Sequence, residues 1–143
     1  MLEVPRDIYD EMMRHALAGR PNEACGVLAG VDGKIVRFYP MRNAEESPVV
    51  YRFDEREQLT VFGEVEEQGW ELTAFFHSHT HTGAYPSPTD IASAHWREPL
   101  TGELTPAYPG TRYVILSLER EEPDVRGFRF EDGAPIEEEV RIV

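Results

Sequence analysis

A short apolar run near the middle of the chain, residues 72–76 (LTAFF), constrains the fold more than any other feature of the sequence. Its continuous apolar character predicts a buried strand. The run leads directly into HSHTH, which holds three of the five histidines of the chain, His77, His79 and His81. A buried strand in this position would deliver the histidines at its exposed end.

Other apolar and amphipathic segments alternate on both sides of this run. Helical spacing predicts a first helix after Pro5 and a second over residues 54–69, and Ser87-Pro88-Thr89-Asp90 opens a third that includes residues 91–96. Residues 99–110 are expected to form a surface loop. The strand signals lie at residues 24–30, 35–41, 112–119 and, as a hairpin across Asp132-Gly133, at 125–143. This order predicts the α/β class, with one mixed sheet flanked by helices.

Size and charge narrow the class of protein. A chain of 143 residues suits a single domain, expected over residues 1–143. The net charge of −13 disfavours binding to nucleic acid, and no apolar run approaches the roughly 18 residues of a membrane span. The N-terminal segment is acidic and amphipathic, unlike a signal peptide. One cysteine permits no internal disulfide, which is compatible with the reducing cytosol, and we expect a cytoplasmic protein. Since no apolar run is long enough to span a membrane, we also expect no membrane partner.

The histidine cluster suits a metal ion. Residues two apart on a strand point to the same face, so the side chains of His77 and His79 converge. Zinc binds neutral imidazoles and carboxylates, and Asp90 is the nearest carboxylate downstream. Two histidines and one aspartate leave a position open for water, which is typical of a catalytic rather than a structural zinc site.

The same residues also have simpler explanations. Ser87, Pro88 and Asp90 form an ordinary helix start, with serine at the N-cap, proline at N1 and an acid at N3. Paired histidines are often polar groups at a strand end. Glu23 in PNEACGVLAG is either a proton acceptor for water or a surface glutamate beside a turn, and spacing does not place it near His77.

The run HSHTHTGAYPSPTD resembles the signature of the JAMM, or MPN-plus, zinc metalloisopeptidases. That signature is His-x-His, seven residues and Ser-x-x-Asp, with an upstream glutamate. The segments PNEACGVLAG, PMRNAEESPVVYRFD and AYPSPTD are similar to one bacterial branch of the family. Members of that branch release cysteine from the C-terminus of a small ubiquitin-like sulfur-carrier protein. The resemblance spans roughly residues 5–142.

The resemblance implies a role for each residue of the signature. His77, His79 and Asp90 would bind Zn²⁺, Glu23 would be the general acid/base, and Ser87 would donate a hydrogen bond to the oxyanion. The implied fold is the JAMM/MPN fold, similar in shape to the cytidine deaminases. The implied reaction is hydrolysis of a peptide or isopeptide bond at the C-terminal tail of the carrier protein or of its cysteine adduct. The oligomeric state stays open.

Other functions remain compatible with the sequence. They are a peptidase on cell-wall or poly-amino-acid substrates, a non-catalytic binding scaffold of the MPN fold, and an iron(II) oxygenase, which the number of helices disfavours. His81 is expected to be solvated or to line the substrate path, and Cys25 to be a small buried residue beside the site. Residues 99–110 and 83–85 are candidate walls of a substrate groove.

Overall fold

The structure, a computed structural model, describes residues 1–143 and has the predicted α/β architecture. None of its three helices has the length and apolar character that a membrane crossing requires. The helices are α1 Arg6–Gly19, α2 Glu55–Glu67 and α3 Pro88–Ser93. The strands are β1 Leu2–Val4, β2 Cys25–Val31, β3 Lys34–Met41, β4 Glu71–His79, β5 His95–Arg97, β6 Leu104–Pro106, β7 Arg112–Ser117, β8 Asp124–Glu131, β9 Ala134–Glu138 and β10 Val140–Ile142.

Strand β4 is the predicted buried strand and lies well inside the main sheet. The sheet has eight strands in the order β10-β1-β3-β2-β4-β7-β8-β9. β4 pairs antiparallel with β2 and parallel with β7, so that His77 lies between Cys25 and Ile115. The sheet is therefore mixed, as expected, and the C-terminal end of β4 is supported on both sides.

The two outer strands of this sheet are consecutive in the chain. Only Glu139 separates β9 from β10, yet β9 pairs with β8 and β10 pairs with β1 at the other end of the strand order. Leu2 pairs with Val140, and its N–H donates to the Glu139 carbonyl at 2.9 Å. The sheet thus curls until the chain itself connects its two ends.

Apolar side chains fill both faces of the sheet. Helix α1 covers one face and α2 covers the other. Because alternate residues of each strand point to opposite faces, each face has its own apolar core. The core under α1 includes Ile8, Met12, Leu28, Phe38, Phe76 and Val114. The core under α2 includes Val27, Tyr39, Phe53, Val65, Phe75 and Tyr113.

The hairpin predicted across Asp132-Gly133 is confirmed, and β2 and β3 form a second hairpin of the same kind. Their two-residue turns are Asp32-Gly33 and Asp132-Gly133, and all four residues have positive φ, between 50° and 81°. Asp-Gly is the favoured sequence for such a turn because glycine adopts positive φ without steric cost.

The region after Asp90 differs from the prediction. Helix α3 ends at Ser93, and His95–Arg97 form strand β5 rather than further helix. This strand pairs with β6, Leu104–Pro106, inside the predicted loop 99–110. Pairing with β6 overrides the local helical pattern here, and Trp96 on β5 is 68% exposed. Strand β1 was also not predicted, and the second strand of the predicted hairpin is divided into β9 and β10, of which β10 pairs with β1.

Candidate metal centre

Four side chains of the sequence signature meet at the C-terminal end of β4. His77 and His79 come from β4, Asp90 from α3 and Glu23 from the segment before β2. One ligand atom of each lies within 4.8 Å of the others. The structure therefore brings together Glu23 and the three residues expected to bind a metal.

The two histidines and the aspartate form a tight triangle. The Nε2 atoms of His77 and His79 are 3.1 Å apart, and each is 3.1 Å from Oδ2 of Asp90. Ligands at 2.0–2.1 Å from a tetrahedral zinc ion are about 3.3 Å apart, so this spacing fits one ion. Since three protein ligands fill three tetrahedral positions, the arrangement leaves one position for water or substrate.

The neighbours of the histidines orient both rings. Nδ1 of His79 donates a hydrogen bond to the Gly83 carbonyl at 2.8 Å, so Nε2 is the ring nitrogen that faces the site: it would bind a metal when the ring is neutral and donates to Asp90 when the ring is protonated. The ring of Tyr51 stacks on His77, with centroids 4.5 Å apart and planes 23° apart. These contacts hold the Nε2 atoms toward Asp90, as a metal site requires.

Asp90 is held by the helix start that the sequence predicted. The Ser87 hydroxyl accepts the Asp90 N–H at 3.0 Å, and Oδ2 of Asp90 accepts the Ser87 N–H at 2.9 Å. This reciprocal pair is a capping box. The same Oδ2 faces His77 and His79, so capping and metal binding are compatible uses of one carboxylate.

Glu23 is the buried acid of the site. Only 5% of its surface is exposed, and its Oε1 has no hydrogen-bond partner. Burial raises the pKa of Glu23 to about 8, with a lowering contribution from His79 and a raising one from Asp90. A buried, unpartnered carboxylate oxygen costs free energy, which indicates a functional rather than a structural role.

The charges of the triangle are set by its own contacts. Burial alone would raise the pKa of Asp90, but hydrogen bonds from His77 and His79 outweigh it and hold that pKa well below its usual range. Burial lowers the pKa of His77 against the opposing effect of Asp90. For His79, the hydrogen bonds to Asp90 and Gly83 outweigh burial and raise the pKa.

A cavity of about 530 Å³ adjoins the cluster. His77 and Asp90 line it, whereas Glu23 and His79 do not. Its rim carries an ion pair between Arg52 and Glu45, 2.9 Å apart. The aromatic side chains in its wall are Tyr51, Phe53, Phe75, Tyr108, Tyr113 and Phe130. The cavity therefore has the size and apolar lining of a pocket for an apolar ligand group.

The other residues discussed from the sequence lie around this site. His81 is exposed and outside the cluster. Cys25 is fully buried beside His77, and burial raises the pKa of its thiol to about 12, so it is a poor nucleophile. In the segment 99–110, Tyr108 forms part of the cavity wall. Residues 83–85 do not line this cavity.

Three residues around the site were not anticipated. Tyr51 stacks on His77, Asn43 is hydrogen-bonded to the Glu23 carbonyl, and Ser78 accepts the Ala24 N–H at 2.8 Å. Ser78 lies between the two histidines in sequence, and its position in HSH is the only signal that could have drawn attention to it. Asn43 and Tyr51 lie in PMRNAEESPVVYRFD, which resembles one branch of the family, but the sequence does not show their contacts because these depend on how the segment 43–53 folds.

Comparison with known proteins defines the class. The family model for prokaryotic homologues of the JAB domain, Prok-JAB, matches residues 5–131. The chain belongs to this family, which confirms the JAMM/MPN membership that the histidine motif implied.

Individual relatives cover most or all of the chain. A CysO-cysteine peptidase of Mycobacterium tuberculosis is 38% identical over 146 residues, covering 100% of this chain and 92% of the relative. A probable TtuB-protein conjugate cleaving protease of Thermus thermophilus is 37% identical over 100 residues, covering 69% of this chain and 67% of the relative. A solution structure from Desulfitobacterium hafniense, 33% identical, superposes with a TM-score of 0.82, covering 100% of this chain and 93% of that one.

Proposed function

We propose that the protein is a zinc-dependent hydrolase that cleaves an amide bond at the C-terminal tail of a small ubiquitin-like sulfur-carrier protein or of its cysteine adduct. One observation carries the proposal: the buried, unpartnered carboxylate of Glu23 lies beside the triangle of His77, His79 and Asp90. The names of the relatives support this class of substrate, since the Mycobacterium protein is called a CysO-cysteine peptidase and the Thermus protein a probable TtuB-protein conjugate cleaving protease.

His77, His79 and Asp90 would hold the metal. Two imidazole nitrogens and one carboxylate oxygen are a donor set that suits zinc. A bound zinc ion would polarise the scissile carbonyl as a Lewis acid and lower the pKa of a water molecule to about 7. The capping box and the Gly83 carbonyl keep the ligands in place, so the site needs little rearrangement.

Glu23 would move the proton. It would accept a proton from the attacking water and pass it to the leaving amine. A group that both accepts and donates a proton works best with a pKa near the working pH, and the pKa raised by burial serves this purpose. Oε1 has no hydrogen-bond partner in the protein, so no internal contact competes with the proton that it would accept.

Ser87 would stabilise the oxyanion. Its Oγ accepts the Asp90 N–H, which uses one lone pair and leaves the hydroxyl proton free to donate. A donor fixed by a helix start costs little reorganisation when charge develops on the substrate oxygen. The same residue would therefore cap the helix and assist the reaction.

The cavity would bind the tail of the substrate. It opens beside His77 and Asp90, on the side of the cluster that does not include Glu23. Because Glu23 must reach the leaving amine, we infer that the cavity receives residues that precede the scissile bond. Its aromatic wall suits apolar side chains.

The direct test is the substitution Glu23→Gln, with Glu71→Gln at the exposed start of β4 as the matched control. We expect Glu23→Gln to bind zinc as the wild type does but to lose turnover, because an amide cannot relay the proton. Cysteine release from a carrier–cysteine adduct and zinc content by elemental analysis are measured together. Undiminished turnover in Glu23→Gln would refute the assignment.

The metal itself is tested by His77→Ala. We expect this variant to lose both zinc and turnover, since one of three ligands is gone. A variant that turns over the adduct without any bound metal would contradict a metal-dependent mechanism. The Mycobacterium relative suggests a carrier–cysteine adduct as the substrate, and the Thermus relative suggests a carrier–protein isopeptide conjugate. Measuring the rate of cleavage of both then decides which of the two is the better substrate.

A further inference from the structure

The Asn43 side chain uses all of its hydrogen-bonding capacity. Its Nδ2 donates to the carbonyls of Glu23 and Val50, each at 3.0 Å. Its Oδ1 accepts the N–H groups of Glu45 at 3.0 Å and Arg52 at 3.2 Å. Asn43 is 9% exposed. One buried amide therefore connects Glu23 to the segment 43–53 through bonds that only asparagine geometry satisfies together.

The backbone of Glu23 has no strand partner of its own. Its carbonyl accepts from Asn43, and its N–H donates to the Ser47 carbonyl at 2.8 Å, so both groups depend on the segment 43–53. The next residue is held differently, because the Ala24 N–H donates to the Ser78 hydroxyl on β4. The direction of the Glu23 side chain thus depends on the segment 43–53 on one side and on β4 on the other.

The segment 43–53 also touches the metal ligands. Tyr51, which follows the Val50 carbonyl bound by Asn43, stacks on the ring of His77. The segment 43–53, which the Asn43 side chain connects to Glu23, therefore both holds the base and packs on His77.

We propose that Asn43 is a positioning residue that holds the Glu23 carboxylate at the correct distance from the His77–His79–Asp90 triangle. Asn43 itself touches neither metal nor substrate and acts through the backbone of Glu23. Its effect on catalysis rests on the proposed function, whereas its effect on the position of Glu23 does not. A displacement of about 1 Å in a catalytic group can lower a rate about 100-fold, so loss of these bonds should be visible in turnover.

The test replaces Asn43 with Asp, which has nearly the same shape but cannot donate to the Glu23 and Val50 carbonyls when ionised. Asn43→Ala removes the same bonds without adding charge, in case the aspartate prevents folding. The chain has only one other asparagine, Asn22, directly before Glu23 and outside this hydrogen-bond network. Asn22→Asp is therefore the matched control for added charge near Glu23.

Three measurements are made on each variant: zinc content, steady-state kinetics on the carrier–cysteine adduct, and residue-level amide exchange by NMR. For Asn43→Asp or Asn43→Ala we expect full zinc content, a kcat lowered about 10- to 100-fold and a KM within about twofold of the wild type. Exchange should accelerate at the amides of Glu23 and residues 45–52 but not in β4 or α3. Asn22→Asp should match the wild type in all three.

Two results would overturn the proposal. One is wild-type kcat together with wild-type exchange at Glu23 in both Asn43 variants. The other is loss of zinc with faster exchange throughout β4 and α3, which would make Asn43 a general structural residue. If the wild type itself fails to turn over any adduct, the proposed function is wrong, and the exchange pattern still decides whether Asn43 holds Glu23.

Discussion

Filling the cavity beside His77 should change which substrates are cleaved. Ser93 at the end of α3 is exposed and lines this cavity, so Ser93→Trp would place an indole in it without disturbing the core. Ala92, on the same helix, is also exposed but does not line the cavity. Ala92→Trp is therefore a control with the same change in bulk one residue away.

The expected size of the effect follows from the apolar lining. Burying one large apolar side chain is favourable by about 1.5–3 kcal/mol, and each 1.4 kcal/mol corresponds to about a tenfold change in binding. If the indole excludes one such side chain of the substrate tail, kcat/KM should fall about 10- to 100-fold. A tail with alanine in the same place has little to lose and should be cleaved at nearly the same rate by Ser93→Trp and Ala92→Trp.

The assay compares two carrier–cysteine adducts, one with leucine and one with alanine in the residues before the scissile bond. Zinc content is measured in parallel because Asp90 lies on the same short helix as Ser93. We expect the preference of the wild type for the leucine tail to disappear in Ser93→Trp and to persist in Ala92→Trp. Equal preference in both tryptophan variants, at full zinc content, would show that the tail does not enter this cavity.

Three further outcomes follow from the site. Ser78→Ala leaves the buried N–H of Ala24 without its acceptor, so we expect a loss of about 1–3 kcal/mol in the free energy of unfolding, measured with denaturant. At a free zinc concentration of about 100 times the Kd, bound zinc should add about 2.7 kcal/mol to the free energy of unfolding of the wild type. Removing the zinc should therefore lower the melting temperature of the wild type by roughly 10 °C and leave that of His77→Ala unchanged. In metal-free protein, the raised pKa of Glu23 means that the folded state binds its proton more tightly than the unfolded state does. The free energy of unfolding of the wild type should therefore fall, relative to that of Glu23→Gln, as pH rises from about 4.5 to about 8. Free energies of unfolding that follow pH in parallel for the two proteins would contradict this.

Local signals predicted the parts of the site that depend on local geometry. The period of two along a strand placed His77 and His79 on one face, and the helix start at Ser87 explains how Asp90 is held. These features need only a few consecutive residues to form. The capping box holds the Asp90 carboxylate toward His77 and His79, so the capping role is compatible with the predicted metal role of the same carboxylate.

The position of Glu23 required information that spacing does not contain. It reaches the triangle because β2 pairs antiparallel with β4 in the register that sets Cys25 opposite His77. A shift of one residue in that register would turn the neighbouring side chains to the other face. The sequence offered Glu23 as a candidate proton acceptor, but only the resemblance to a family placed it beside the histidines, and its contacts with Asn43 and Ser47 emerged from the fold.

The errors in secondary structure have the same origin. His95–Arg97 carry no strong helix stop, yet they pair with Leu104–Pro106, and Leu104 packs next to the Gly133 turn. The three-residue strand β1 is too short to show a period and is a strand because it pairs with β10 and β3, and β10 leaves the predicted hairpin to pair with β1. Long-range partners decide such segments, and a single sequence does not display them.

The pairing of β1 with β10 has a consequence for how the protein folds. Residues from opposite ends of the described chain must meet before the curled sheet is complete, so this contact closes the largest loop in the molecule. Bringing such distant segments together is entropically costly, and contacts of this kind slow folding. We expect the hairpins and α1 to form first during refolding, and the pairing of β1 with β10 to form last.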